Sequence, residues 1–358
     1  MTGAPGVSTS DATRVIPVAE ARAFAQAIFE RLDMPPDDAR VLADHFVWND
    51  RRGQPWLGVR RIPEYVARLQ AGATAAKPEL TTVADRGAFL VLDGGNGWGH
   101  VIGARAMNIA VTRAREFGLA GVSVRNTTSA GAIGYYALQA AEQRMIGLAI
   151  NNSQPIQAAW GGSVSRLGTQ AFAVSCPAGH HPPLLLDMAS SALSLVGVKK
   201  HRDRGESLPA GAALTADGRP TVDPEEALRG LILPMAGHRG YGLAVLWETL
   251  TGVLAGGERF GSDVGLFDDY SGPQGVSLFV LAIDPTVSMP YDEFTARADA
   301  LIDQMHDSPT VPGVDRVLVP GEQSHRAAEA HDSAGLSLPA DVVESLERVG
   351  SELGIPPP

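Results

Sequence analysis

A chain of 358 residues is long enough for two or three domains, each with a core of its own. Its 44% hydrophobic and 19% charged content is ordinary for a globular protein, and a net charge of −11 argues against a nucleic-acid partner. The single Cys176 excludes an internal disulfide framework and a multi-cysteine metal site. Because no apolar run reaches membrane-spanning length and residues 1–10 are too polar for a signal peptide, a cytoplasmic protein with no membrane partner is expected, with a disordered tail over residues 1–13.

In chain order, Val18, Ala21, Phe24, Ala25, Ile28, Phe29 and Leu32 recur at helical spacing and predict a helix over 18–32. Pro35 and Pro36 stop it, and Asp37 or Asp38 can cap the next helix, which carries Val41, Leu42, His45 and Phe46 towards Asp50. A third helix is expected over 62–69. Strands follow at 89–92, 122–124 and 146–150, separated by a helix bearing Ala104, Met107, Val111 and Ala114 and by another bearing Ile133, Ala137, Ala140 and Ala141. The strand at 146–150 ends in Asn151, Asn152 and Ser153, then Pro155 and Gly161-Gly162, which cannot continue it.

Further strands are expected at 172–176 and 184–188, and 197–224 reads as a long polar surface loop. Leu243, Leu246, Trp247, Leu250 and Leu254 predict a helix over 241–254, closed by Gly256-Gly257. A late strand at 278–283 and helices at 294–305 and 342–353 complete the chain. Helices at both ends predict one helical lobe, built from 14–85 and 291–358, beside an α/β domain over 86–290.

Several motifs suggest chemistry. Gly95-x-Gly97-x-Gly99 follows a strand and precedes a helix, but Gly103 comes one residue late for a dinucleotide fingerprint and Arg125 stands where an acidic residue belongs, so a tight turn is expected. The segment Gly237-His238-Arg239-Gly240-Tyr241-Gly242 opens a helix, where free N–H groups and glycines suit an anion and Arg239 adds a fork for a phosphate. Asp187 is a carboxylate ending a buried strand, equally readable as a functional group or as a cap. His180 and His181 have no carboxylate or Cys at ligand spacing, so no metal is expected.

The order of these blocks resembles the type-2 malate/L-lactate dehydrogenase family. Those blocks are Arg61-Ile62-Pro63-Glu64-Tyr65, Val124-Arg125-Asn126, Gly134-Tyr135-Tyr136, Trp160-Gly161-Gly162, Asp187-Met188-Ala189-Ser190-Ser191, Gly237–Gly242 and Pro320-Gly321-Glu322. The family also includes sulfolactate and ureidoglycolate dehydrogenases and cyclic-imine carboxylate reductases. The resemblance implies a non-Rossmann NAD(P)-binding α/β domain with a helical lobe built from both termini, a homodimer, and NAD or NADP as cofactor. It implies that Ser153, Asp187, Met188, Ala189, Arg239, Gly240, Pro320, Gly321 and Glu322 meet that cofactor, and that Arg61 holds a substrate carboxylate.

The departures from that family's pattern bear on the reaction. Trp56 and Leu57 replace the Ser and the proton-donating His that many members carry, and Ser129 stands where many have a basic His. A Ser hydroxyl is no general base near neutral pH. The remaining candidates around the reaction are Ser129, Asp187 and His238, with Trp56, Leu57, Arg61 and Tyr136 facing substrate. The expected activity is hydride transfer to or from a small carboxylate-bearing compound, an imine or keto acid in preference to malate or lactate. The same missing His residues leave a second reading open, a repurposed member with non-redox catalysis or a binding role.

Overall fold

The computed structural model describes residues 13–358, so the tail expected over 1–13 lies outside the described residues except Thr13, which already begins a strand. In chain order the elements are β1 (Thr13–Ile16), α1 (Val18–Arg31), α2 (Pro36–Arg51), α3 (Ile62–Gln70), β2 (Thr81–Asp85), β3 (Phe89–Gly97), α4 (Gly99–Phe117), β4 (Leu119–Thr127), α5 (Gly134–Glu142) and β5 (Ile146–Asn151). There follow β6 (Gln157–Ala158), β7 (Ser165–Leu167), β8 (Phe172–Cys176), β9 (Leu184–Met188), α6 (Leu195–Arg204), β10 (Ala213–Leu214), β11 (Pro220–Thr221), α7 (Pro224–Arg229), β12 (Leu231–Ile232) and α8 (His238–Glu248). The last are β13 (Val276–Ile283), α9 (Tyr291–His306), α10 (Glu322–Ala334), β14 (Leu336–Pro339) and α11 (Ala340–Leu353). Short 3-10 turns at Pro55–Leu57 and Val59–Arg61 join α2 to α3, and α8 continues as a π-helical stretch, Thr249–Val253.

The chain divides into two compact units, one formed by the N-terminal part to Ala67 with Ser324–Pro358, the other by Arg68–Gln323. The expected boundaries at 85 and 290 fall elsewhere because β2 pairs with β3 at the edge of the large sheet, and α9 bonds to residues of the second unit through Asp299 and His306.

In the first unit, α1 buries Ala21, Phe24, Ala25, Ile28 and Phe29, and α2 buries Leu42, Ala43, Phe46 and Val47. Phe46 stacks on Phe29 at 6.0 Å between ring centroids and meets Tyr65 edge-on at 4.9 Å, the offset and T-shaped geometries that aromatic quadrupoles favour. Pro36 opens α2, whose missing N–H costs nothing at that position. Asp37 and Asp38 therefore lie inside its first turn rather than capping it, where their negative charge is favourable beside the positive end of the helix dipole. β1 pairs antiparallel with β14, joining the two chain ends in a two-stranded sheet that helical periodicity gave no sign of.

The second unit is built on a seven-stranded sheet in the order β2-β3-β4-β13-β5-β8-β9. Only β3 and β4 run parallel, joined by the crossover helix α4; the other pairs are antiparallel. The late strand β13 inserts between β4 and β5, and its run from Val276 to Val280 is fully buried. That burial on both faces explains why the strand does not alternate apolar with polar residues, Ser277 being its one polar member. Residues 197–224, expected to be a loop, instead form α6, α7 and part of a second, five-stranded sheet ordered β11-β10-β12-β6-β7. Ser194 caps α6 by accepting the Gly197 N–H at 3.0 Å, and Asp223 caps α7 through Glu225 N–H at 2.8 Å. Val198, Leu208, Ala213, Ala227 and Ile232 close a small core beneath them. Five apolar residues spread thinly over 35 positions leave too weak a periodicity to read.

Candidate active site

β9 ends in Asp187, and α5 begins at Gly134. The Asp187 carboxylate accepts the Gly134 N–H at 3.0 Å, so its charge sits at the positive end of that helix. A Cβ at Gly134 would come within 2.7 Å of the same oxygen, which makes glycine the residue that allows the contact. Asp187 itself is exposed, and the adjoining Met188 and Ala189 are half-buried.

From Ala189 the chain turns into a ladder of hydrogen bonds. Ser190 donates from both N–H and hydroxyl to Thr169 O, at 2.9 and 2.8 Å. The Ser153 hydroxyl accepts the Thr169 N–H at 3.1 Å, which ties the end of β5 to the same segment. Met235 N–H then donates to Ser190 O at 2.9 Å, and Gly240 N–H to Met235 O at 3.1 Å. Ser153, Asp187, Met188, Ala189 and Gly240, far apart in sequence, are thereby held in one frame. Ser190 and Gly134 stood in the family blocks without a role of their own, and Thr169 and Met235 were not among the expected site residues; Thr169 and Met235 act here through backbone groups, which carry no side-chain signature.

α8 starts at His238, three residues earlier than expected, and its regular turns end at Glu248. Gly240 is buried against Ser190 and Met235, where a Cβ would stand 2.2 Å from Met235 O. Its N–H is spent inside the frame, which leaves His238 and Arg239 N–H to open the helix, and both side chains are exposed. The His238 ring faces Trp160 edge-on at 6.5 Å, and the Trp160 ring also packs where a Cβ on Gly237 would fall.

Pro320 and Gly321 lie along the other side of β9. Leu185 N–H donates to Pro320 O at 3.0 Å, and Gly321, at φ +90°, approaches Leu185 too closely for any side chain. Glu322, expected to meet the cofactor, is engaged within the chain. Its Oε1 accepts from Arg316 at 2.5 Å, and its Oε2 meets His306 Nε2 at 2.9 Å and accepts Val319 N–H at 3.2 Å. With both oxygens engaged and the side chain 10% exposed, Glu322 clasps this segment in place rather than offering a free carboxylate.

The loop after β4 carries Ser129, half-buried, whose N–H donates to Gln274 Oε1 at 2.9 Å. Tyr136, expected to face substrate, is fully buried; its hydroxyl donates to Ala130 O at 2.5 Å and so braces the loop from inside. The first turn of α5 points residue 136 towards α4, where its ring lies against Gly103, and Tyr135 is half-buried.

The glycine run forms an irregular end to β3, where its register with β4 shifts. Gly95, at φ +58°, donates its N–H to Asp93 Oδ1 at 3.0 Å, and the strand continues to Gly97. Burial pushes the Asp93 carboxyl up, but contacts with Gly95 N–H, Asn126 and Arg125 together hold it below the usual carboxylate range. The polar cleft beside it, about 230 Å³, is lined by Arg125, Asn126 and 256–259.

Trp56, Leu57 and Arg61 belong to the first unit and lie on the two 3-10 turns. The Arg60 guanidinium covers the Trp56 ring at 4.6 Å, and Arg61 pairs with Glu64 at 2.8 Å. Asp50 braces this segment from beneath, accepting Val59 N–H at 2.8 Å, while Gly58 leaves it room. Burial pushes the Asp50 carboxyl up from 3.8 to about 7, against Val59 N–H and Arg60, which pull it down.

Comparison with known proteins places the chain in a family. The family described as malate/L-lactate dehydrogenase matches residues 16–347. The malate dehydrogenase of Pyrococcus abyssi is 32% identical over 348 residues, covering 95% of each chain. The solved sulfolactate dehydrogenase of Methanocaldococcus jannaschii superposes with a TM-score of 0.90 at 30% identity, covering 96% of this chain and 98% of its own. The Δ1-pyrroline-2-carboxylate/Δ1-piperideine-2-carboxylate reductase of Pseudomonas putida is 29% identical over 350 residues, covering 96% of this chain and 98% of its own. The chain belongs to the malate/L-lactate dehydrogenase family, and with it to the dehydrogenases and reductases.

Proposed function

We propose that this protein binds NAD or NADP and transfers hydride to or from a small carboxylate-bearing substrate, an imine or keto acid in preference to malate or lactate. The observation that carries the reading is the shared frame of Asp187, Ser153 and the first turn of α8. It presents an exposed Arg239 and two helix-opening N–H groups beside the exposed end of β9. Such a terminus suits a dinucleotide phosphate, and the Arg239 fork suits its oxygens. Arg61 supplies the same geometry for a carboxylate, with Glu64 as its partner until substrate arrives.

The preference for an imine rests on protons. Hydride addition to a protonated C=N carbon gives a neutral amine directly, so no acid has to act in that step. Hydride addition to a ketone leaves an alkoxide that must be protonated, and the reverse reaction must lose a hydroxyl proton. Leu57 and Ser129 supply neither service. His238, exposed beside Trp160, is the group that would carry a proton if the reaction needs one.

We also read the protein as a homodimer. The exposed Leu246, Val253 and Phe260 around the end of α8 support an interface there, and analytical ultracentrifugation checks it. The test of function is to titrate NADH and NADPH separately by fluorescence and then assay Δ1-pyrroline-2-carboxylate, pyruvate and oxaloacetate. Saturable binding of one cofactor with turnover of the imine is expected. Failure to bind either cofactor would overturn the reading and favour a repurposed binding protein.

A further inference from the structure

A histidine cluster lies outside this frame. The turn between β8 and β9 carries Gly179, His180 and His181, and α9 passes beside it. Asp299, buried on α9, accepts three backbone N–H groups of that turn, from Gly179 at 3.0 Å, His180 at 3.0 Å and His181 at 3.3 Å. A Cβ at Gly179 would stand 2.3 Å from Asp299 Oδ2, so the turn closes on the carboxylate only with glycine there. Burial pushes the Asp299 carboxyl up, but the three N–H bonds and the His180 ring hold it below the usual range and keep it charged at neutral pH.

The turn is thus pinned before any ligand arrives, with both imidazoles on one side, ring centroids 4.1 Å apart. One turn along α9, Asp303 places Oδ1 2.7 Å from His181 Nε2. One ligand atom from each of His180, His181 and Asp303 lies within 4.8 Å of the others. The His180 Nδ1 sits 2.8 Å from Asp299 Oδ2, which leaves Nε2 as the lone-pair nitrogen and puts a carboxylate behind the ring. A carboxylate in that position fixes the tautomer and orientation of a metal-binding histidine.

We propose that His180, His181 and Asp303 bind a divalent transition-metal cation of the zinc class. Two imidazoles and one carboxylate are the donor set that such ions prefer, whereas magnesium and calcium favour oxygen alone. His180 and Asp303 are both exposed, so a cation has a route from solvent and water can fill the remaining position. No metal was expected at these histidines because Asp303 lies 122 residues beyond His181, and only the packing of α9 brings it to them.

The consequence is mechanical. A bound cation would add a second tie between the β8–β9 turn and α9, whose last residue, His306, holds Glu322 at the end of the Pro320-Gly321 segment. The site therefore stiffens a support of the frame without touching the frame itself.

The test uses tag-free protein freed of metal by chelation. Zn²⁺ is titrated by calorimetry and Co²⁺ by its visible absorption, with Mg²⁺ as competitor. One Zn²⁺ per chain is expected, unaffected by Mg²⁺, with a Co²⁺ spectrum of low coordination number. His181→Ala and Asp303→Ala should each weaken binding at least about tenfold, or about 1.4 kcal/mol. His325→Ala, on α10, should leave it unchanged. Absence of saturable Zn²⁺ binding to the wild type overturns the proposal outright. So does binding that survives the His180→Ala/His181→Ala pair in protein whose circular dichroism matches the wild type. Neither outcome bears on cofactor binding, so the proposal and the reading of function fail separately.

Discussion

The Asp187 carboxylate closes on the Gly134 N–H at 3.0 Å, and the space a methyl group would take at Gly134 is already filled by that carboxylate. One contact thus joins the end of β9 to the start of α5. Gly134→Ala must either expel the carboxylate or shift the helix. A loss of about 1–3 kcal/mol in stability is expected, typical of overpacking. A fall of at least about tenfold in kcat/KM should accompany it. Asp187→Asn, which keeps an acceptor, should lose less stability. Urea unfolding of both variants measures this, and equal midpoints for Gly134→Ala and wild type would mean that the contact is slack.

Arg239 stands exposed in the first turn of α8. If it grips a cofactor phosphate, Arg239→Ala should weaken nicotinamide binding by roughly 1.5–3 kcal/mol, the worth of a charge-assisted hydrogen bond. Arg239→Lys should recover part of that, because the charge remains while the fork is lost. Fluorescence titration gives both numbers, and unchanged affinity in the alanine variant removes Arg239 from the site.

Oxidation of malate or lactate should be poor. A positioned base contributes about 10²–10⁴-fold to such a step, and Ser129 and Leu57 cannot act as one. Assays of both acids with both cofactors should therefore show rates lower by that order than in a dehydrogenase with the histidines. Leu57→His with Ser129→His should raise them. A fast wild-type rate with either acid would place the base elsewhere, with His238 the next position to change.

Asp50 makes a pH-dependent contribution to stability. Its carboxyl titrates near 7 when folded and near 3.8 in an ordinary setting. The folded pKa is the higher one, so between these values the unfolded chain releases a proton that the folded chain keeps. Stability from this group is complete below about pH 4, falls as pH rises towards 7, and is level above that. The loss can reach roughly 4 kcal/mol, from about three pH units at 1.36 kcal/mol each. Asp50→Asn retains an acceptor for Val59 N–H and should flatten that slope. Urea midpoints at about pH 5 and about pH 7.5 decide it, and parallel slopes in wild type and variant would contradict it.

Helical periodicity and apolar runs were sufficient to locate α1 to α5, α9, α11 and the strands β3, β4, β5, β8, β9 and β13, because these elements bury apolar residues along a face; α8 was located in the same way, although Leu246 of its apolar stripe stands exposed. The motifs on their ends identified the family and most of the frame around Asp187. β1, β14, α7 and the two- and three-residue strands of the second sheet are too short to show a period, and α6 buries only Val198, so none of them left such a pattern.

What the sequence by itself determined, then, was local: which segments must be buried, where they stop, and which polar residues stand at their ends. Only the tertiary structure decided that β13 separates β4 from β5, that Tyr136 points inward, and that Glu322 is spent on His306 and Arg316. It also decided that Asp299 and Asp303 meet His180 and His181. Each of these is a pairing between residues on different elements. Burial and periodicity report how one segment meets an apolar interior, whereas a hydrogen bond or ion pair depends on two segments arriving within about 3 Å of each other. That distance is set by the packing of the whole chain.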